Sequence, residues 1–189
     1  AAGSSRGFLA SFETDHPSSL PSESHEKAFD VDRRTKWSSS TLPVYNMAVF
    51  NGRQFINAYS VMSSGGLADR RPTQWTLSAS NDQETWVVLD KKDHMHFTDL
   101  YQTKTFTLPH NAAAYTYYKF NFEASEGTNL EVGRIELFAA DVAYAQTPVL
   151  AYDAAAFDFF VGQTVELAPT AGGFHDFQIT GTLPAGLAF

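Results

Sequence analysis

The chain has 189 residues, a formal net charge of −8 and no cysteine. Hydrophobic residues at 43% and charged residues at 18% are globular values, so wholesale disorder is excluded. The acidic balance argues against nucleic acid as a partner, because nucleic acids attract clustered Lys and Arg. Without cysteine there are no disulfides, thiolate metal sites or cysteine nucleophiles. The sequence contains no run of 18 apolar residues, so no transmembrane segment is predicted.

Short runs of alternating apolar and polar residues recur along the chain up to Phe138, whereas no long window sustains the helical period. In one such run Trp75, Leu77 and Ala79 share a face. Turn signals such as Asn51-Gly52 separate the runs. The alternating runs and the turn signals between them predict an all-β antiparallel sandwich. The predicted strands lie at 45–50, 55–62, 74–80, 86–89, 103–108, 117–122 and 134–138.

The composition divides the chain into two parts. Residues 1–141 carry the alternating runs, and their first 25 residues, rich in Ser and Pro, predict an irregular lead-in. Residues 142–148 are small and mildly polar and predict a linker. The β-like pattern that follows, 149–189, is about 40 residues long, too short to close a sandwich of about 100. We therefore expect an incomplete second domain and a natural protein that continues past Phe189.

Three ordered segments carry a family signature. KAFDVDRRTKW at 27–37 resembles the A-[FIV]-D-G-D-x-x-T-x-W loop of the discoidin, or coagulation factor 5/8 type C, superfamily, which includes family-32-like carbohydrate-binding modules. RPTQWTLSASNDQETW at 71–86 resembles its P-x-x-W-x-L-x-[GA]-S-N-D-G-x-x-W hairpin, and GRIELF at 133–138 its [AS]-E-[IL]-E-[LV]-[FY] strand. The resemblance covers about residues 8–140 and implies an eight-stranded jelly roll, the galactose-binding-like fold.

The tail carries a shorter resemblance. Gly162-Gln163 and LPAGLAF at 183–189 are similar to an immunoglobulin-like repeat of large surface proteins, with its L-P-x-G-L-x-[FL] turn. This implies that residues 149–189 begin an immunoglobulin-like β-sandwich.

The 27–37 loop is a candidate cation site. Asp30, Asp32 and Thr35 place several oxygens within six residues, and Ca²⁺ takes six to eight oxygen ligands. In the resembled family this loop binds one Ca²⁺. The resemblance implies a structural calcium ion that ties the two ends of the domain together. Its ligands would be the carbonyls of Lys27, Asp32 and Ile135, the carboxylates of Asp30 and Glu136, and both the carbonyl and the hydroxyl of Thr35.

Two observations leave the calcium prediction open. Val31 stands where the family usually has Gly, and a positive φ there would be costly for Val. The residues alone are also compatible with an Asx turn whose acids are solvated and hold no metal.

Sugar-binding members of the family hold their ligands with loops at one end of the sandwich, where an aromatic ring and a few polar side chains meet the sugar. The corresponding ligand-binding candidates are Tyr45, Asn46, Asp69, Arg70, Arg71 and Asn129. Asp69 and Arg70 are also compatible with a structural ion pair. We expect the three tryptophans in the core. His94 and His96 predict either a transition-metal pair or a polar loop, and the loop is favoured.

Catalysis finds no support in the motifs, because no G-x-S-x-G, H-E-x-x-H or phosphate loop is present. We expect a non-enzymatic carbohydrate-binding or adhesion module of a larger extracellular or cell-surface protein, with a glycan or glycoprotein as partner. The alternatives are a structural or assembly domain that contacts neighbouring protein domains, and an accessory module of a glycoside-active enzyme.

Overall fold

Two antiparallel β-sheets form the part of the protein that the computed structural model describes, residues 3–111 and 113–139. The predicted linker at 142–148 and the immunoglobulin-like segment at 149–189 lie outside the described residues. The first sheet has the strand order β1-β10-β5-β8, with β3 also paired to β10, and the second has the order β2-β4-β9-β6-β7. The strands are β1 (Gly3–Ser4), β2 (Leu9–Thr14), β3 (Trp37–Ser39), β4 (Val44–Gln54), β5 (Ile56–Ser63), β6 (Pro72–Ser80), β7 (Val87–Lys92), β8 (Thr103–Thr107), β9 (Tyr115–Ser125) and β10 (Leu130–Ala139).

The all-β prediction is confirmed. Each of the seven alternating runs coincides with one strand from β4 to β10, and eight of the ten described strands have five or more residues. β1 and β3 are short additions to the edge of β10. Short 3₁₀ turns at 6–8, 21–23, 25–29 and 68–70 are the only helical elements among the described residues.

The prediction of an irregular lead-in is wrong for residues 9–14. This segment is strand β2, which pairs with β4 along the edge of the second sheet. Leu9 and Phe12 pack against the core, whereas Phe8 is 53% exposed. A register shift between Leu9 and Ser11 interrupts the alternation in β2, so the two core-facing residues Leu9 and Phe12 are three positions apart and the segment lacks the period-2 signal of a strand.

Aromatic pairs join the two sheets across the core. The Tyr59 ring in β5 meets Phe120 of β9 at a centroid distance of 5.4 Å, and Phe106 of β8 meets Trp75 of β6 at 5.7 Å, both close to edge-on. Edge-on pairs of this kind add about 0.5–1.5 kcal/mol each beyond the area they bury. The aromatic side chains therefore serve mainly to pack the two sheets against each other.

The strand register places five connecting segments at one end of the sandwich, which we call the loop end. Pro72 of β6 pairs with Ser125 of β9, and Val44 of β4 pairs with Phe122, so β6 and β4 begin where β9 finishes. In the first sheet β10 begins beside the end of β3, and β8 begins beside the end of β5. The loop end therefore consists of segments 15–20, 40–43, 64–71, 93–102 and 126–129.

Within the described residues, no helix has the length and apolar character needed to cross a bilayer.

Candidate functional site

A buried carboxylate organises the polar groups of the loop end. Glu131, in the second position of β10, has 1% of its side chain exposed. It accepts hydrogen bonds from Lys36 Nζ at 2.6 Å, Arg70 Nη1 at 2.9 Å and Ser64 Oγ at 2.8 Å. Burial alone would raise the pKa of this carboxyl, but the three donors outweigh burial and hold the pKa below its ordinary value. Glu131 is therefore an ionised anchor for two cationic side chains from different segments.

The network continues from Lys36 to the wall of a cleft. Lys36 Nζ also lies 3.6 Å from Glu23 Oε1, and Ser38 Oγ donates to Glu23 Oε2. Two cations thus alternate with two carboxylates, which leaves the network electrically neutral. It links the 68–70 turn, which carries Arg70, to Ser38 on β3.

Ser38 lines a cleft of about 320 Å³ at the loop end. Nine residues form its walls, and six of them are serine or threonine; none carries a permanent charge. They are His16, Pro17, Ser18, Ser19, Leu20, Ser38, Ser39, Ser40 and Thr41. Hydroxyl groups both donate and accept hydrogen bonds, so this wall suits a neutral, polyhydroxylated ligand.

Four of the six predicted ligand-binding residues lie at the loop end, and three of them, Asp69, Arg70 and Asn129, have exposed or half-buried side chains. Arg70 is held by Glu131, with 33% of its side chain exposed. Asp69 is exposed, and its backbone carbonyl is close to Gly127, where an added Cβ would approach it to 2.8 Å. Asn129 is half-buried in the same 126–129 segment. The predicted ion pair between Asp69 and Arg70 is replaced by the pair between Arg70 and Glu131.

Asn46 and Arg71, by contrast, have buried side chains that donate to backbone carbonyls. Asn46 has no exposed surface and donates from Nδ2 to the His25 carbonyl at 2.8 Å. Arg71 is 8% exposed and donates from Nη1 to the Phe97 carbonyl at 2.7 Å. Their neighbours Tyr45 and Arg70 do reach the surface. Successive side chains of β4 point to opposite faces of the sheet, and Arg71 comes directly after the 68–70 turn.

Tyr45 lies on the outer face of the second sheet. Lys119 Nζ stands 5.6 Å from the centroid of the Tyr45 ring and 3.7 Å from that of Trp86. Trp86 is half-buried on this face, so its predicted place in the core is wrong, whereas Trp37 and Trp75 are fully buried as expected. Trp86 precedes β7, an edge strand, and covers Lys119 rather than packing between the sheets.

Sequence reasoning missed Glu131, Lys36, Glu23 and the serines of the cleft. Lys36 falls inside the 27–37 motif but occupies one of its variable positions. Glu131 and Lys36 are 95 residues apart, and only the pairing of β3 with β10 brings them together. The serines at 38–40 are a visible cluster, but surface loops are commonly rich in serine, so their sequence alone does not indicate a site.

The Asp30 half of the predicted calcium shell is assembled. Thr35 Oγ1 lies 2.8 and 2.9 Å from the two Asp30 carboxylate oxygens and 2.7 Å from the Asp32 carbonyl. The non-glycine residues with positive φ in the described chain are Gln83, His94 and Tyr101, so Val31 occupies backbone space open to any residue. The Asp32 carboxylate instead faces Arg34, whose hydrogen bonds hold its pKa at about 2.

The other half of the shell is committed elsewhere. Arg6 donates from Nη2 to Glu136 Oε1 at 3.2 Å, and Arg134 Nε lies 3.7 Å from Glu136 Oε2. Lys27 also places its ammonium 3.8 Å from Asp30. The two side-chain carboxylates of the expected shell are thus already paired with Lys27, Arg6 and Arg134, which does not fit carboxylates that wait for a metal ion, and the calcium ion stays a prediction.

His94 and His96 lie in a loop rather than on a strand, as favoured. His96 Nδ1 lies 2.7 Å from Glu126 Oε1, and His94 is largely exposed beside Asp93. No group of three or more His, Asp or Glu side chains able to share a metal ion occurs in the described part of the chain.

The two sheets, their order and the loop end define the fold of family 32 carbohydrate-binding modules and F5/8 type C domains. CpGH89CBM32-5 from Clostridium perfringens, in complex with GalNAc-β-1,3-galactose, superimposes with a TM-score of 0.61 at 18% identity, over 74% of this chain and all of that one. The F5/8 type C domain of a Bacteroides fragilis protein gives 0.62 at 12% identity, over 74% and 95%. A truncated AlyQ with CBM32 and alginate lyase domains gives 0.58 at 13% identity, over 70% and 32%.

Sequence comparisons are sparser. No family model matches the chain. The peptide-N(4)-(N-acetyl-β-glucosaminyl)asparagine amidase of Arabidopsis thaliana is 29% identical over an alignment of 129 positions that covers 63% of this chain. The match spans only 18% of that enzyme.

Proposed function

We propose that residues 3–139 form a non-catalytic carbohydrate-binding module whose ligand lies at the loop end, in a larger extracellular or cell-surface protein. The observation that carries the proposal is the serine-lined cleft beside the Glu131 network. Support for a glycan ligand also comes from the fold, because the Clostridium perfringens neighbour was solved with a bound disaccharide.

The cleft has the size and chemistry for a sugar. Its volume of about 320 Å³ falls at the lower end of the range of about 300–1,000 Å³ for small-molecule sites. Ser40 and Thr41 expose hydroxyls on one wall, and His16 and Ser19 face the solvent on the other. A sugar ring with several hydroxyls can satisfy these groups, whereas a purely apolar ligand would leave them unpaired.

The network behind the cleft favours a neutral ligand over an acidic one. Lys36 and Arg70 are each already paired with Glu131, and Lys36 with Glu23 as well. An anionic sugar would have to compete with these carboxylates for the same cations. We therefore propose a neutral hexose or N-acetylhexosamine as the ligand class.

A second candidate function is that of an accessory module which brings an enzyme to its glycan substrate. Two comparisons favour it: the AlyQ structure joins this fold to an alginate lyase domain, and the Arabidopsis relative is an amidase. The module would bind the glycan in the same cleft, so the two proposals differ in what the rest of the protein does. The alternative of assembly through protein contacts alone predicts that no glycan binds.

A glycan array followed by calorimetric titration with galactose and N-acetylgalactosamine tests the proposal. Ser40→Trp fills the cleft from an exposed position and should abolish binding while leaving the melting temperature unchanged. Asn51→Trp, exposed at the opposite end of the sandwich, is the matched control and should bind like the parent. An array without any binder, or binding that survives Ser40→Trp, would reject the cleft as the glycan site.

A further inference from the structure

We propose that the Arg6 guanidinium takes the place predicted for a calcium ion and closes the domain as a metal-free clasp. Arg6 donates from Nη1 to the Phe29 carbonyl and from Nη2 to Glu136 Oε1. Phe29 immediately precedes the Asp30 loop, and Glu136 lies on the last strand. One side chain thus connects the two chain segments that the predicted ion would have joined.

The charges around the clasp leave little need for a divalent cation. The two carboxylates of the predicted shell, Asp30 and Glu136, are accompanied by three intramolecular cations. Lys27 lies 3.8 Å from Asp30, while Arg6 and Arg134 lie 3.2 and 3.7 Å from Glu136. The side chains of all five are between 22% and 35% exposed, so these charges are only partly screened by water. A Ca²⁺ ion would enter a group that already carries one excess positive charge.

The backbone before Arg6 is held against the last strand. Gly3 and Ser4 form β1 against Ala139 and Phe138 of β10. Ser5 then donates to the Leu137 carbonyl from both its amide, at 3.0 Å, and its hydroxyl, at 2.7 Å. Because the residues that precede Arg6 are fixed to the last strand, little side-chain freedom is lost when the guanidinium reaches Phe29 and Glu136.

The space beside the clasp is small. The cavity between the N-terminal segment and β10 measures about 10 Å³, and Arg6, Phe29, Ile135 and Glu136 are among its lining residues. That is close to the minimum for a single water molecule.

A guanidinium, with five donors in a planar fork, suits a carbonyl and a carboxylate together and stays charged at all relevant pH values.

Thermal unfolding with and without divalent cation tests the clasp. The melting temperature of the parent protein should change by no more than about 1 °C between excess chelator and millimolar CaCl₂, and calorimetry with CaCl₂ alone should show no binding. Arg6→Gln should lower the melting temperature by roughly 3–8 °C. Arg6→Lys should recover only part of that loss, because an ammonium cannot serve both acceptors with a planar fork.

Arg53→Gln is the matched control, since Arg53 is exposed at the end of the sandwich opposite the loop end and should change the melting temperature little. The clasp is refuted if chelator lowers the melting temperature of the parent, or if calorimetry detects calcium binding to it. It is equally refuted if Arg6→Gln and Arg53→Gln have the same effect. Should Arg6→Gln fail to fold, the two measurements on the parent still decide the question.

Discussion

Trp75 Nε1 donates a hydrogen bond of 3.0 Å to the hydroxyl of Tyr59, and so ties the second sheet to the first inside the core. The Tyr59 hydroxyl in turn donates to Asp90 Oδ2 at 2.8 Å, and Lys92 pairs with the other Asp90 oxygen. Both aromatic side chains are fully buried. Burial raises the pKa of Tyr59 far above its ordinary value, so the hydroxyl remains a donor at any pH at which the domain folds.

Tyr59→Phe should therefore lower the free energy of unfolding by about 1–2 kcal/mol, because the buried Trp75 N–H loses its acceptor. Urea denaturation measures the change. Tyr117→Phe, a half-exposed tyrosine on the outer face of β9, is the control and should stay within about 0.5 kcal/mol of the parent. Equal effects of the two variants would show that the inter-sheet hydrogen bond contributes nothing measurable.

Gln83 offers a stabilising substitution. Its φ of +62° places it in the left-handed region, at the position where the resembled hairpin motif has Gly. Left-handed backbone costs a non-glycine residue about 1–2 kcal/mol, partly offset by the greater entropy that Gly loses on folding. Gln83→Gly should raise the free energy of unfolding by about 0.5–1 kcal/mol in urea denaturation, whereas Glu84→Gly, next to it in the same turn, should not. A lower stability for Gln83→Gly would contradict the strain argument.

Glu131→Gln should destabilise the domain by about 3 kcal/mol, because Lys36 and Arg70 lose the buried negative charge that compensates them. Glycan affinity should fall in the same variant, since Glu131 no longer holds Lys36, which positions Glu23 and through it Ser38 on the cleft wall. Glu126→Gln, at an exposed acid of the loop end, is the control and should leave stability within about 0.5 kcal/mol of the parent.

The stability lost in Glu131→Gln should also depend on pH, and the lowered pKa of Glu131 determines in which direction. A carboxyl whose pKa is lower in the folded than in the unfolded state stabilises the fold fully above the unfolded value, which is 4.5 for Glu. That contribution is lost as the pH falls through the folded pKa. The stability difference between the parent and Glu131→Gln should thus be constant above about pH 5 and shrink below 4.5. A difference that grew on acidification would contradict the ionised anchor.

Gly66→Ala should disturb the same anchor from the backbone side. A Cβ at this position would lie 1.9 Å from Glu131 Oε2, and that carboxylate cannot move away cheaply because three donors hold it. We expect a loss of about 1–3 kcal/mol in the free energy of unfolding. Gly7→Ala is the control, since a Cβ there meets nothing within 4 Å. If both alanine variants melt alike, the carboxylate is less firmly held than its contacts indicate.

Periodicity and motif spacing predicted the fold well because both depend on local residue order. Runs such as 117–122 alternate because β9 lies between two strands and packs one face on the core. The candidate site was predicted less completely because its contacts are distant in sequence. Arg70 was selected from the sequence, but its partner Glu131 is 61 residues away, and nothing local distinguishes Glu131 from a solvated acid.

The calcium loop shows a different limit. The residues of the 30–35 loop determine their own geometry, so the convergence of Asp30 and Thr35 agrees with the motif. The identity of the cation that faces Glu136 depends on Arg6, which lies outside the motif and 130 residues from Glu136. A motif describes the residues it contains, and it carries no information about a side chain supplied from another part of the chain.

The position of β2 has a practical consequence for recombinant work. A fragment cut at the first recognisable motif, near Lys27, would remove β2 and leave β4 as the edge of the second sheet. β4 is eleven residues long, and its row of unpaired backbone donors and acceptors would then invite pairing between molecules. We expect such a fragment to form inclusion bodies, whereas a fragment that begins upstream of Gly3 should be expressed as soluble protein.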